Sequence, residues 1–226
     1  TADSATVALV TGPSGVGKSA VLKRFLHELS GPQWEPVYLH LTHLPAAGLL
    51  KMLVAKLGEV PRRGKERVFE QILEKARRAE GALLLVIDEA HLLDTDALTD
   101  IRLLISSALD DAPPLKVVLA GQEPLRHTLR HSVHAALLSR LAVRHHLPPP
   151  TREQPAPSLA FPLKQAGGTE KLFAETSKKT IHDSSGGIPR QINNLATACL
   201  IQAAATGVAR VDDDLFQQAA GEFQLA

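Results

Sequence analysis

Eight consecutive residues could hold a phosphate. Gly12-Pro13-Ser14-Gly15-Val16-Gly17-Lys18-Ser19 follows the pattern G-x-x-x-x-G-K-[ST]. The glycines let the backbone turn tightly and bring its N–H groups against an anion. A helix starting near Lys18 offers the positive end of its dipole to the same anion. From that start Lys18 is expected to reach the β- and γ-phosphates of a nucleotide, and Ser19 to ligate Mg²⁺. The cofactor-binding set is therefore Gly12, Pro13, Ser14, Gly15, Val16, Gly17, Lys18, Ser19 and Ala20, the last lying in the first helical turn.

A second group carries acid–base chemistry. Leu83-Leu84-Leu85-Val86-Ile87-Asp88-Glu89 sets two carboxylates at the end of an apolar run. Asp88 is expected to hold Mg²⁺ through its water shell, and Glu89 to polarise an attacking water. A kinase needs a base beside an acceptor hydroxyl, whereas hydrolysis needs one beside water; an adjacent Asp-Glu pair favours hydrolysis. Ala90-His91 completes the letters D-E-A-H of a helicase box. A helicase of that type needs two such domains in tandem, and this chain has room for one.

The elements that must position these groups alternate. Val7–Thr11 reads as a short strand before the glycine-rich turn, and Lys18–Leu29 as a helix with an apolar face. Val37–Leu41, Ala82–Ile87, Leu115–Ala120 and Val143–Leu147 read as further strands. Ala82–Ile87 shows no alternation, as expected of a strand buried on both faces. Helices are expected at Ala46–Leu57, Lys65–Ala79 and Thr95–Leu109 (capped by Asp94 or Thr95), and Pro124–Leu141 reads as mostly helical. This order predicts an α/β fold, a parallel sheet flanked by helices, with Asp88 and Glu89 at the carboxyl end of a buried strand where such sheets bind ligands. Six of the 15 prolines then fall between Pro148 and Pro162, which reads as a linker or hinge. Beyond it the chain reads as helical at Glu170–Asp183, Pro189–Ala205 and Asp212–Phe223. The expected organisation is a nucleotide-binding α/β domain over residues 1–150 and a small all-helical lid over residues 151–226.

Composition bounds the partners. With 226 residues, 44% hydrophobic and 22% charged, the chain is globular rather than disordered. Twenty-five Lys and Arg against 24 Asp and Glu leave a net +1, so attraction to nucleic acid or membrane must come from a local patch. One cysteine, Cys199, excludes a disulfide within the chain and reads as core. No apolar run approaches the ~20 residues of a membrane span, and a cytoplasmic location is expected. The chain begins Thr1-Ala2-Asp3 and its one Met is Met52, which reads as a fragment or a processed form.

Taken together, the phosphate loop, the Asp-Glu strand end and the trailing helices resemble AAA+ ATPases. Val118-Leu119-Ala120-Gly121-Gln122-Glu123-Pro124-Leu125, Leu137-Leu138-Ser139-Arg140-Leu141 and Gly187-Ile188-Pro189-Arg190-Gln191-Ile192-Asn193-Asn194-Leu195 resemble the ExeA/GspA and TniB/TnsC-type branch. The resemblance implies an ATP-hydrolysing enzyme that works as a homo-oligomer, ring or filament, with ATP and Mg²⁺ as cofactors. It places Gln122 at the first sensor and Arg190 at the second, on the helical lid against the γ-phosphate. Arg140 matches the arginine finger reaching a neighbouring subunit's nucleotide, a device that supplies ~10³ or more in rate; Arg144 competes for that part. It further implies a transposition regulator that assembles on duplex DNA and directs a transposase. The alternatives are a secretion-associated ATPase or a nucleotide-dependent switch with little turnover.

Two patches could meet partners. Over Arg62–Arg78, seven Lys and Arg against three Glu give a net +4. Arg62, Arg63, Lys65 and Arg67 read either as duplex phosphate contacts or as a solvated helix face. His127, His131 and His134 recur at helical spacing, and read as the polar face of a helix whose other face is Leu125, Leu129, Val133 and Leu137.

Overall fold

The computed structural model describes residues 7–29, 31–41, 45–107, 115–150, 163 and 167–224. The linker expected over Pro148–Pro162 and the helix end at Leu109 fall largely outside them. Two compact units are formed, one of Thr1–Gly12 with Lys18–Leu147, the other of Pro13–Gly17 with Pro148–Ala226.

In the first unit five strands form one parallel sheet: β1 (Val7–Thr11), β2 (Trp34–His40), β3 (Ala82–Asp88), β4 (Lys116–Gly121) and β5 (Leu141–His146). Their order is β2-β3-β4-β1-β5. All seven residues of β3 are buried, because the strand has neighbours on both edges and helices on both faces. Leu83, Leu85 and Ile87 pack with α2 (Ala46–Lys56), α3 (Lys65–Arg78), α4 (Thr95–Ser107) and α5 (Glu123–Leu129). Leu84 and Val86 point the other way, onto Leu22 of α1 (Lys18–Glu28). A side-chain period of two with both faces covered is what makes the run uniformly apolar.

β2 starts at Trp34, ahead of the Val37 at which its apolar character begins. Pairing with Ala82 and Leu83 extends the backbone through Trp34 and Glu35. Pro36 is tolerated because β2 is an edge strand and one side of it needs no donor. Asp94 caps α4 by accepting the Ala97 N–H at 2.7 Å.

Pro124–Leu141 is mostly helical, as expected, but its helix is broken. α5 ends at Leu129, a tight turn covers Ser132–His134, α6 spans Ala135–Leu138, and Leu141 already belongs to β5. His131, Ser132, Val133 and His134 are all weak helix formers, so the break costs little. It also shifts the phase of burial. His134 and Leu137 turn inward, while Val133 is 58% exposed. The expected polar face of three histidines is thereby corrected: His134 is core, and desolvation together with the charge of His131 lowers its pKa.

The second unit contains α7 (Glu175–Ser184), α8 (Pro189–Thr206) and α9 (Asp213–Gln224). Phe173, Ile181, Ile192, Leu195, Cys199 and Phe216 form its core. The helix expected from Glu170 is interrupted, since Phe173 bridges in parallel to Val211. The Ala174 N–H donates to Val211 O and the Val211 N–H to Leu172 O, each at 2.8 Å. That pinning buries the Phe173 ring, and α7 begins only after it. Cys199 is core, its thiol pushed up to about 11 by burial. No helix among the described residues is long and apolar enough to cross a membrane.

Candidate functional site

Parallel pairing aligns the carboxyl ends of the strands. Thr11 lies opposite Gly121, and His40 opposite Asp88. In sheets of this kind the crevice beyond those ends is where ligands bind. β1 runs into the phosphate loop there. The Lys18 ammonium, on a residue only 4% exposed, donates to the Gly12 carbonyl at 3.0 Å. Gly15 (φ 79°) and Gly17 (φ 110°) hold left-handed backbone that any side chain would strain.

Asp88 is the hub of the first unit's polar groups and is fully buried. Its Oδ2 accepts the Ser19 hydroxyl at 2.5 Å and the Tyr38 hydroxyl at 2.8 Å, and His40 Nδ1 stands 3.5 Å away. Its Oδ1 accepts the Glu89 N–H at 2.9 Å. Burial alone would raise the carboxyl pKa; the hydrogen bonds from Ser19, Tyr38 and the Glu89 N–H outweigh it and hold the group below its ordinary range. The Tyr38 phenol is pushed up to about 12, first by burial, then by the bond to Asp88 and its charge. A carboxylate and a hydroxyl converging in this way are hard oxygen donors of the kind Mg²⁺ takes alongside several waters, so Ser19 and Asp88 fit that ion.

Tyr38 and His40 carry no sequence motif. The signal that could have found them is strand geometry. They are two residues apart on β2, hence on one face, and His40 is level with Asp88.

Glu89 differs from its neighbour. Its backbone sits at φ 59° and ψ 31°, and it is alone among the described non-glycine residues at positive φ. That conformation costs roughly 1–2 kcal/mol. The side chain is 26% exposed, and Oε2 lies 3.6 Å from His91 Nε2. His91 Nε2 is in turn 3.1 Å from Nε2 of Gln122, the residue after β4 that precedes α5. Ser19 and Asp88 are thus in direct contact, and Glu89 and Gln122 meet through His91.

In the second unit, Arg190 contacts the loop residues grouped with it. Its N–H donates to Gly15 O at 3.3 Å, and Nη1 donates to Ser14 Oγ at 3.5 Å. A Cβ on Gly15 would stand 2.7 Å from the Arg190 Cβ, so glycine is also required for this approach.

Arg140 and Arg144 are placed elsewhere. Arg140 Nη1 donates to Ala136 O at 2.8 Å, folding the side chain back on α6. Arg144 lies on β5 opposite Leu9 and lines a cleft with Arg126, Arg130, His145 and His146. Among the described residues neither bonds to Asp88 or Glu89.

The basic segment separates into two kinds of cation. The Arg62 guanidinium forms a fork on the Glu74 carboxylate, at 3.3 and 3.0 Å. Lys65 pairs with the buried Asp100 at 2.8 Å. Arg63 and Arg67 are exposed.

The family model described as AAA domain matches residues 2–129 of this chain. General secretion pathway protein A of Aeromonas hydrophila is 32% identical over 211 residues, covering 91% of this chain and 38% of that protein. The chain therefore spans well under half the length of this relative. Among solved structures, the Aeropyrum pernix ORC1 protein in complex with DNA superposes with a TM-score of 0.70 at 19% identity, over 96% of this chain and 59% of that one. A point mutant of Thermotoga maritima RuvB gives 0.64 at 19% identity, over 98% of this chain and 63% of that one. These two share the fold: a parallel sheet with its phosphate loop, flanked by helices and followed by more. With the family model matching more than half of its residues, and a relative above 30% identity over nearly all of it, the chain belongs to the AAA domain family.

Proposed function

We propose that this chain binds and hydrolyses Mg²⁺–ATP and does so as an oligomer. The observation that carries the reading is the convergence of Ser19 and Asp88 at the strand ends, next to a Glu89 held in strained backbone. Lys18 would bind the β- and γ-phosphates, and Ser19 and Asp88 would hold Mg²⁺. That ion neutralises phosphate charge when bound. Glu89 would orient the attacking water, Gln122 and Arg190 would report on the γ-phosphate, and Arg140 or Arg144 would complete a neighbour's site. Strain retained at a single position beside a ligand crevice is the kind of feature that function maintains.

For the cellular task, the identity to general secretion pathway protein A favours a secretion-linked ATPase. A second reading, assembly on duplex DNA as a transposition regulator with a transposase as partner, is supported by exposed Arg63 and Arg67 and by the fold shared with an ORC1 protein solved with DNA. In that reading Arg63 and Arg67 carry the phosphate contacts, since Arg62 and Lys65 already have carboxylate partners.

ATP turnover measured across a protein-concentration series, with and without duplex DNA, tests both. Turnover per subunit is expected to rise with concentration. Stimulation by DNA supports the DNA-assembled reading, and indifference to DNA overturns it in favour of the secretion-linked one. Absence of turnover at every concentration overturns the ATPase reading itself.

A further inference from the structure

The reaction proposed above gives His91 no task, yet among the described residues its ring is the best-enclosed histidine near the strand ends. It sits on the tight turn Ala90–Leu92 directly after Glu89, with a side chain 13% exposed. Three groups close on it. The Gln122 backbone N–H donates to His91 Nδ1 at 3.4 Å, the Gln122 amide stands 3.1 Å from Nε2, and the Glu89 carboxylate stands 3.6 Å from Nε2. Gly121 allows this approach, since a Cβ there would lie 3.0 Å from the His91 backbone nitrogen.

The protonation pattern follows from these contacts. A neutral imidazole has one N–H and one acceptor nitrogen. Nδ1 faces a backbone donor and so accepts, which leaves the ring hydrogen on Nε2. That hydrogen points toward two possible acceptors, the Glu89 carboxylate and the oxygen end of the Gln122 amide. A half-turn of the amide presents either end to the ring, and only Oε1 accepts. The amide end at 3.1 Å is within hydrogen-bond distance of Nε2 and the Glu89 carboxylate at 3.6 Å stands just beyond it, so the two groups compete for one hydrogen.

We infer that His91 is a positioning residue that couples Gln122 to Glu89 through its Nε2–H, so that a change in what the Gln122 amide touches alters how firmly the Glu89 carboxylate is held. The inference rests on the ATPase reading and deepens it. When the amide turns its oxygen away, the hydrogen is left to Glu89, whose carboxylate need close only from 3.6 Å to accept it and be fixed. His91 itself touches no reacting atom.

The test compares wild type, His91→Ala, His91→Gln, Gln122→Ala and the double variant His91→Ala/Gln122→Ala. For His91→Ala, kcat should fall about tenfold to a hundredfold, the scale of a misplaced catalytic group, with KM for ATP and the affinity for a fluorescent ATP analogue within twofold of wild type. His91→Gln, which can place a donor near the Nε2 position, should recover most of the loss. The double variant should be no slower than His91→Ala, because both changes break one coupling. A kcat for His91→Ala within twofold of wild type, or fully additive losses, overturns the inference while Glu89-dependent turnover leaves the ATPase reading standing. A second readout needs no turnover. ¹⁵N spectra, with the His91 signals assigned by their loss in His91→Gln, should show the hydrogen on Nε2, and the signal should move in Gln122→Ala. The opposite tautomer, or a signal indifferent to Gln122→Ala, overturns it.

Discussion

Two buried polar side chains, Gln71 and Asp88, organise two regions of this molecule, and they do so in opposite ways. Gln71, 5% exposed on α3, is a closed hub. Its Oε1 accepts the Arg62 N–H at 3.1 Å, and its Nε2 donates to Glu59 Oε2 at 2.7 Å and to Val60 O at 3.0 Å. Donors and acceptors match, and the segment leading into α3 is pinned. Asp88 is an open hub. It is an ionised acceptor, and one of the groups around it is the Ser19 hydroxyl of α1, an oxygen donor that fits a cation beside the carboxylate. A matched amide needs nothing further. A buried carboxylate beside a hydroxyl at the strand ends is the group that, in the function proposed above, would meet a cation. Burial is common to both, so what separates the structural hub from the proposed binding hub is the chemistry left over after the local bonds are made.

That contrast can be broken or sharpened by mutation. The largest stability effect is expected for Gln71→Leu, which leaves the Arg62 N–H and the Val60 carbonyl without their partner. Denaturant unfolding should show a loss of about 1–3 kcal/mol, with affinity for an ATP analogue unchanged. A variant as stable as wild type would show that the hub is not structural.

A smaller effect, with a distinct pH signature, is expected for Tyr38→Phe. The Tyr38 pKa is raised in the folded protein from 10.0 to about 12. Between those values the folded state keeps a proton that the unfolded chain has lost, so this contribution is complete below about pH 10 and disappears as pH rises toward 12. Urea titrations from about pH 9.5 to about pH 11.5, which bracket that window, should therefore fall less steeply for Tyr38→Phe than for wild type. Cys199 titrates with the same sign in both proteins and cancels in the difference. Equal slopes would separate Tyr38 from Asp88.

The smallest effect is expected for Arg62→Ala. Its fork on Glu74 is exposed to solvent, and such pairs are screened and contribute little. Thermal unfolding in low and high salt should barely distinguish the variant from wild type. A large, salt-sensitive drop would place this pair among the structural hubs.

Much of this arrangement was readable in the amino-acid sequence, because the phosphate loop and the Asp88-Glu89 strand end are contiguous and their chemistry depends on neighbours in the chain. Strand order, pairing register and the second ring of residues were not. Tyr38 and His40 reach Asp88 across β2 and β3, and only the register reveals it. His91 was visible as the fourth letter of D-E-A-H, but its contact with Gln122 spans 31 residues and depends on β4 ending beside β3. The broken helix after Leu129 was hidden by a leucine spacing that suits one long helix equally well; burial of His134 rather than Val133 decides between them. Arg62 and Lys65 looked like available cations, and their carboxylates, Glu74 and Asp100, are distant enough in sequence to escape any local pairing rule.

The central claim is that the open hub at Asp88 serves a hydrolytic Glu89. Steady-state ATP turnover of Glu89→Gln beside wild type, with Mg²⁺ and at equal protein concentration, tests it most directly. The account predicts a fall of about a hundredfold or more, the scale of a lost general base, with binding of an ATP analogue retained. Turnover in Glu89→Gln equal to that of wild type would contradict it.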